Sequence, residues 1–167
     1  ITSDKMAYGI IANGFMYMYT SDDWSVFELS TLIVEGNEIS NNVIDMKAKD
    51  AWAIETVIAY DNTVQYNNIT INAGNGVGIG FADAEESTAQ YNNINIKATQ
   101  ESSPNTGDAV DSYTAGIKIT PSASRVSTPD SNTAVYNNIT ITAVNSDVPA
   151  VNVSSASNEI TDNYLVS

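Results

Sequence analysis

The sequence predicts an all-β chain folded as a right-handed parallel β-helix, a solenoid of about five coils of about 25 residues, on three observations. An eight-residue pattern recurs five times, its last residues separated by 25, 25, 45 and 26 positions. Apolar and polar residues alternate within each repeat with a period of two, and no helical period competes with it. One asparagine returns at the same place in every repeat.

The repeats begin with Asn37-Glu-Ile-Ser-Asn-Asn-Val-Ile44, Asn62-Thr-Val-Gln-Tyr-Asn-Asn-Ile69 and Ser87-Thr-Ala-Gln-Tyr-Asn-Asn-Ile94. Asn132-Thr-Ala-Val-Tyr-Asn-Asn-Ile139 and Asn158-Glu-Ile-Thr-Asp-Asn-Tyr-Leu165 complete them, the interval of 45 marking one coil with about 20 extra residues. Each coil is expected to hold three short strands. In the second coil, Thr63-Val64-Gln65 leads to a corner at Tyr66-Asn67, and Ile69-Thr70-Ile71 alternates inward and outward. Asn72-Ala-Gly-Asn-Gly76 is expected to turn, Val77-Gly-Ile-Gly-Phe81 to form the next strand, and residues 83–87 to turn the chain back. Inward positions then align as Ile44/Met46, Ile69/Ile71, Ile94/Ile96 and Ile139/Ile141 on one side. Ile79/Phe81, Ile117/Ile119 and Val151/Val153 align on another, with Ile54 at the equivalent place. A single coil cannot bury such a face; stacked coils bury it and pair every strand.

The recurring asparagines are Asn42, Asn67, Asn92, Asn137 and Asn163. Asparagine tolerates the left-handed backbone of a tight corner, and its amide both donates and accepts. The row is therefore expected to be a structural ladder that satisfies itself between coils. Tyr66, Tyr91 and Tyr136 precede three of its members and are expected to stack.

Twenty acidic residues against 6 basic ones, a net charge of −14, exclude the clustered cations that nucleic acid, anionic membrane or polyanionic substrates require. Cysteine and histidine are absent, which removes disulfides, thiolate chemistry and the commonest general base. No apolar run reaches the roughly 18 residues of a membrane span, so no membrane insertion is expected within this segment. The chain reads as one β-helix segment, an excerpt of something longer: residues 1–36 form an irregular first coil with an aromatic insertion, and residues 37–167 the regular coils. Open coils at both ends are expected to favour end-to-end self-association.

The Tyr-Asn-Asn-Ile-Thr-Ile coil, the asparagine corner and the alternation of long and short loops resemble the pectate-lyase-like right-handed β-helix superfamily. More narrowly, residues 157–167 (Ser-Asn-Glu-Ile-Thr-Asp-Asn-Tyr-Leu-Val-Ser) and the Asn/Thr/Ser-rich composition resemble adhesin-like surface proteins of methanogenic archaea. The likeness covers residues 37–167; within 1–36 only Tyr8-Gly-Ile-Ile-Ala12 fits a strand. It implies an extracellular, cell-surface scaffold without catalysis, a stalk or display module contacting a glycan or protein partner. The alternative it implies is a carbohydrate-active β-helix enzyme, a polysaccharide lyase or glycoside hydrolase.

In that superfamily the ligand cleft follows the strand of Ile79 and its stack-mates. Alternation puts Glu55, Gly80, Lys118 and Asn152 outward there, and Trp52 and Tyr113 immediately precede cleft strands. Trp52, Glu55, Tyr113, Lys118 and Asn152 are thus the candidate ligand surface. The superfamily's lyases use clustered acidic calcium ligands with an Arg or Lys base, and its hydrolases paired Asp. The row offers neither, so no catalytic residue is assigned; Asp108 with Asp111, or Glu85 with Glu86, are the loop acids the enzyme alternative would need. Those acids, with Asp4, Asp22, Asp23 and Asp83, follow no calcium-loop spacing, so calcium is a weak expectation and no other cofactor is implied. Insertions at 14–31, 99–112 and 122–130 fall in the turns beside the cleft strand. The first is crowded with Phe15, Tyr17, Tyr19, Trp24 and Phe27, which are expected to cap the helix end. Sequons at Asn68, Asn138 and Asn152 are expected to point outward, which permits glycosylation.

Overall fold

The computed structural model describes residues 1–3, 6–13, 15–20, 27–99, 114–121, 130–144, 148–154 and 157–166, with the backbone alone at 6, 13, 15–20 and 27–32. Every regular element among them is a β-strand. Pairing is parallel throughout, except in one antiparallel hairpin that joins Phe15–Thr20 to Phe27–Leu32.

Two 18-residue strands, Val43–Tyr60 and Asn68–Glu85, lie side by side with partners 25 positions apart, from Ile44↔Ile69 through Ile54↔Ile79 to Tyr60↔Glu85. Asn93–Ala98 and Ala115–Thr120 both pair with the second of these, and Asn138–Ala143 and Val151–Val153 follow in the same register. A five-stranded sheet stacks Glu38–Ser40, Thr63–Gln65, Thr88–Gln90, Thr133–Val135 and Glu159–Thr161. The chain thus returns to a neighbouring rung once per coil, an all-β arrangement of stacked parallel strands compatible with a β-helix.

The alternating isoleucines form the core. Ile69, Ile79, Phe81, Ile96, Ile117, Ile119 and Ile139 are all 0% exposed. Each such side chain contributes about 1.5–3 kcal/mol on burial. The rows expected from the sequence are the rows observed, since Ile54, Ile79, Ile117 and Val151 are successive partners.

The expected turn at residues 72–76 is corrected. Asn72, Ala73, Asn75 and Gly76 pair with Lys47, Ala48, Asp50 and Ala51, leaving only Gly74 out of the ladder. The chain bends at single unpaired positions, 49/74, 53/78 and 58/83, instead of breaking into loops. A full turn would strip several buried backbone groups of partners, whereas a one-residue bend costs one. The bend at 53/78 has its own signature, because Gly9, Ala53, Gly78, Gly116 and Ala150 occupy one column. A Cβ on Gly78 would meet the Gly116 oxygen at 2.5 Å and the core methyl Ile94 Cγ2 at 2.6 Å.

A second correction concerns the corners. The left-handed residue is not the ladder asparagine but its predecessor: Asn41, Tyr66, Tyr91, Tyr136 and Asp162, with φ between 51° and 58°. A side chain bonding along the column must turn inward, so the residue before it makes the corner and points out. The tyrosines therefore end half-exposed and stacked, with Tyr66–Tyr91 and Tyr91–Tyr136 centroids each 5.2 Å apart. A parallel series of left-handed residues, Gly36, Asp61, Glu86, Ser131 and Ser157, marks another corner five positions earlier.

Where residues 1–36 are described, they pair more regularly than expected. Thr2 bridges Lys47, Met6–Asn13 pairs with residues 50–57, and Val34–Glu35 pairs with Ala59 and Tyr60. The aromatic insertion is the hairpin, leaving this coil at the corner where Ile58 and Asp83 take positive φ. Trp24 lies outside the described residues, and so do residues 122–129 of the 122–130 insertion.

Candidate functional site

The asparagine row is continuous. Nδ2 of Asn42, Asn67, Asn92 and Asn137 each donates to Oδ1 of the next member, ending at Asn163, over 2.9–3.0 Å. The backbone N–H of each donates to that same oxygen. Asn67, Asn92, Asn137 and Asn163 also reach back to the carbonyls of Ile39, Val64, Ala89 and Ala134 in the preceding coil. The three inner asparagines are 1% exposed, so these bonds are made in a dry setting.

A second ladder, missed in the sequence, runs beside it through Asn37, Asn62, Ser87, Asn132 and Asn158. Asn37 donates to Asn62 Oδ1, the Asn62 N–H to Ser87 Oγ, the Ser87 N–H to Asn132 Oδ1, and the Asn132 N–H to Asn158 Oδ1. Its signal was present: these are the first residues of the repeat, at a fixed offset of five from the first ladder. A third amide row lies on the outer surface, where Asn93 Nδ2 donates to Asn68 Oδ1 and Asn138 Nδ2 to Asn93 Oδ1, each at 2.9 Å. The sequon asparagines Asn68 and Asn138 belong to this exposed row; Asn152 is half-buried.

Glu55, Gly80, Lys118 and Asn152 do form one row, continued at the N-terminal side by Ile11. Glu55 and Lys118 are two rungs apart, about 10 Å at roughly 4.8 Å per rung. The row is less open than alternation suggested. Lys118 is 2% exposed and Trp52 6%. Trp52 lies inside its strand, and its ring covers Gly80, where a Cβ would meet the indole at 2.9 Å. The Lys118 ammonium sits 4.8 Å from the ring centroid. The open members of this row are Ile11, which is exposed, and Glu55 and Asn152, which are partly exposed. Tyr113 lies outside the described residues.

Of the loop acids, Asp4, Asp22, Asp23, Asp108 and Asp111 also lie outside the described residues. Glu86 is exposed and accepts the Tyr60 phenol, whose pKa is raised first by that bond and then by burial and the neighbouring charges of Glu86, Asp61 and Glu85. Glu38, at the head of the five-stranded sheet, accepts from Gln65 Nε2 at 2.9 Å, and this bond, with one from Ser40, lowers its pKa. Among the described residues no group of three carboxylates is arranged to hold a metal ion. Compared with protein-family models, with curated proteins and with solved structures, the chain matches none.

Proposed function

We propose that this chain is a right-handed β-helix scaffold of the pectate-lyase-like kind. In this reading it works without catalysis, as a rigid stalk or display module of an adhesin-like protein at the cell surface, contacting an extracellular glycan or protein. The observation that carries the reading is the pair of amide ladders, Asn42 to Asn163 and Asn37 to Asn158, running through successive coils. Positions that recur are apolar, amide or small, which favours resistance to bending over placement of reactive groups. The net charge of −14 suits a solvated exterior more than a clamp for anionic sugars.

The carbohydrate-active alternative draws on one observation, the partial exposure of Glu55 on the row that binds ligand in that superfamily. Incubation with pectin, alginate, xylan and neutral glycans, with and without calcium, separates the two. The scaffold reading expects no reducing ends or unsaturated products above background, and retention of the chain by an immobilised glycan or surface protein. Product release abolished by Glu55→Ala would overturn it.

A further inference from the structure

We propose that the tyrosine corner and the two strands beside it form a binding face for a neutral, extended β-linked polysaccharide lying along the stacking direction. This deepens the glycan contact proposed above and rests on it, but on a different face from the Glu55 row.

The face is built from rows that run from coil to coil. Tyr66, Tyr91 and Tyr136 are 53%, 45% and 50% exposed. Their rings lie face to face at interplanar angles of 4° and 12°, so the stack offers solvent its edges and phenols. Among the described residues no side chain or carbonyl bonds the three phenols. On one side Gln90 Nε2 donates to Gln65 Oε1; on the other runs the exposed row of Asn68, Asn93 and Asn138. A side-chain amide carries two N–H donors and an oxygen with two lone pairs. The bonds of Asn93 along its row use one donor and one lone pair, which leaves one of each for a ligand. Exposed polar side chains normally lose rotamer freedom on binding, and here neighbouring coils already hold them.

Period and charge define the ligand. Gln65↔Gln90, Asn68↔Asn93↔Asn138 and Thr70↔Asn95↔Thr140 are register partners, and the tyrosine centroids step by 5.2 Å. A cellulose-type chain advances per sugar by close to the roughly 4.8 Å of one rung. Successive sugars would therefore meet the same phenol and amides in successive coils, whereas an amylose-type chain coils and loses that match. Of residues 63–72, 88–97 and 133–142 only Lys97 is charged. The corner five positions earlier carries the acids instead, Asp61, Glu85, Glu86 and Asp130. A polyuronate would find no row of cations on this face, in a chain of net charge −14, so the fit is to a neutral chain.

The test is NMR titration of the 167-residue chain, isotope-labelled at side-chain amides and tyrosine rings, with cellohexaose, maltohexaose and hexagalacturonate. Cellohexaose should shift Tyr91, Asn93 and Gln90 at low and high salt alike. Maltohexaose, the same sugar in another linkage, and hexagalacturonate should not. Tyr91→Asn puts at this left-handed corner the residue type that Asn41 supplies in an earlier coil, and Asn93→Val the type that Val43 supplies in the same row, so both variants should fold. Each should weaken cellohexaose binding about tenfold, the loss of one well-made contact. Glu86→Gln, on the acidic corner, should leave binding unchanged. Absence of cellohexaose shifts, equal binding of maltohexaose, or indifference to both variants would each overturn the proposal. A change in sedimentation with Tyr91→Asn would overturn it too, because a second copy would then occupy the face. Shortened cellohexaose, with binding at this face intact, would sink the scaffold reading and leave this one standing.

Discussion

The Lys118 ammonium lies 4.8 Å from the centre of the Trp52 indole, two coils away, across a glycine that leaves room for the ring. Both side chains are buried although they rise from the outer side of their strands. Truncation of Trp52 removes packing over Gly80 and the face that holds the cation. Trp52→Ala should cost about 3–5 kcal/mol in urea denaturation. A double-mutant cycle with Trp52→Leu and Lys118→Met should return a coupling of about 0.5–2 kcal/mol. A coupling of zero would mean that the ammonium gains nothing from the ring.

Asn92 makes the full set of ladder bonds, donating to Asn137 and to the carbonyls of Val64 and Gln90 while accepting from Asn67. Asn92→Ala leaves several buried groups without partners and should lower stability by about 1–3 kcal/mol, read as a fall in denaturation midpoint.

Ser87 is the weak rung of the second ladder. Its hydroxyl accepts from Asn62 and donates to Glu85, but it has no second donor for the preceding coil, where Asn62 and Asn132 reach the Val34 and Ala84 carbonyls. Ser87→Asn supplies that donor toward the Ala59 carbonyl and should raise stability by about 0.5–1.5 kcal/mol. A loss would show that the column there has closed around the smaller side chain.

The period, the apolar rows and the first ladder were legible because each repeats as a residue type at a fixed interval. The second ladder was as legible, since Asn37, Asn62, Asn132 and Asn158 are identical; the serine at 87 broke the pattern by type but not by chemistry. Which corner residue turns left-handed was not legible from propensity, because Tyr66 and Tyr91 are poor candidates beside an asparagine. There the inward hydrogen bonds of the ladder override local preference. The burial of Lys118 was hidden for a different reason: alternation gives the side a residue faces, not what folds over it.

The small column separates two roles of glycine. A Cβ on Gly116 would meet the Ala150 oxygen at 2.6 Å and crowd Ile139 Cγ2, whereas Gly36, at φ +64°, has nothing within 4 Å. Gly116→Ala should destabilise by about 1–3 kcal/mol through overpacking. Gly36→Asn, which suits the left-handed region, should change stability by less than about 0.5 kcal/mol. Equal effects at both sites would refute the assignment of close approach to one and backbone conformation to the other.

Tyr60 gives a pH signature for the acidic corner. Its phenol donates to Glu86, and ionisation would put a phenolate beside Glu86, Asp61 and Glu85, so its pKa stands above the ordinary 10.0. A pKa raised on folding adds stability that is fully present below the unfolded value and is lost as pH rises through the folded one. The window is therefore alkaline, beginning near pH 10, and neutral solution is unaffected. With nine tyrosines in the chain, the measurement calls for ring-labelled tyrosine NMR, with Tyr60→Phe to assign the resonance. Glu86→Gln removes the charged acceptor, the first cause of the shift, and should bring the Tyr60 titration down toward 10. Added salt should lower it less, since screening weakens the Coulombic contributions and leaves the hydrogen bond in place. A Tyr60 titration indifferent to Glu86→Gln would mean that the bond is absent in solution.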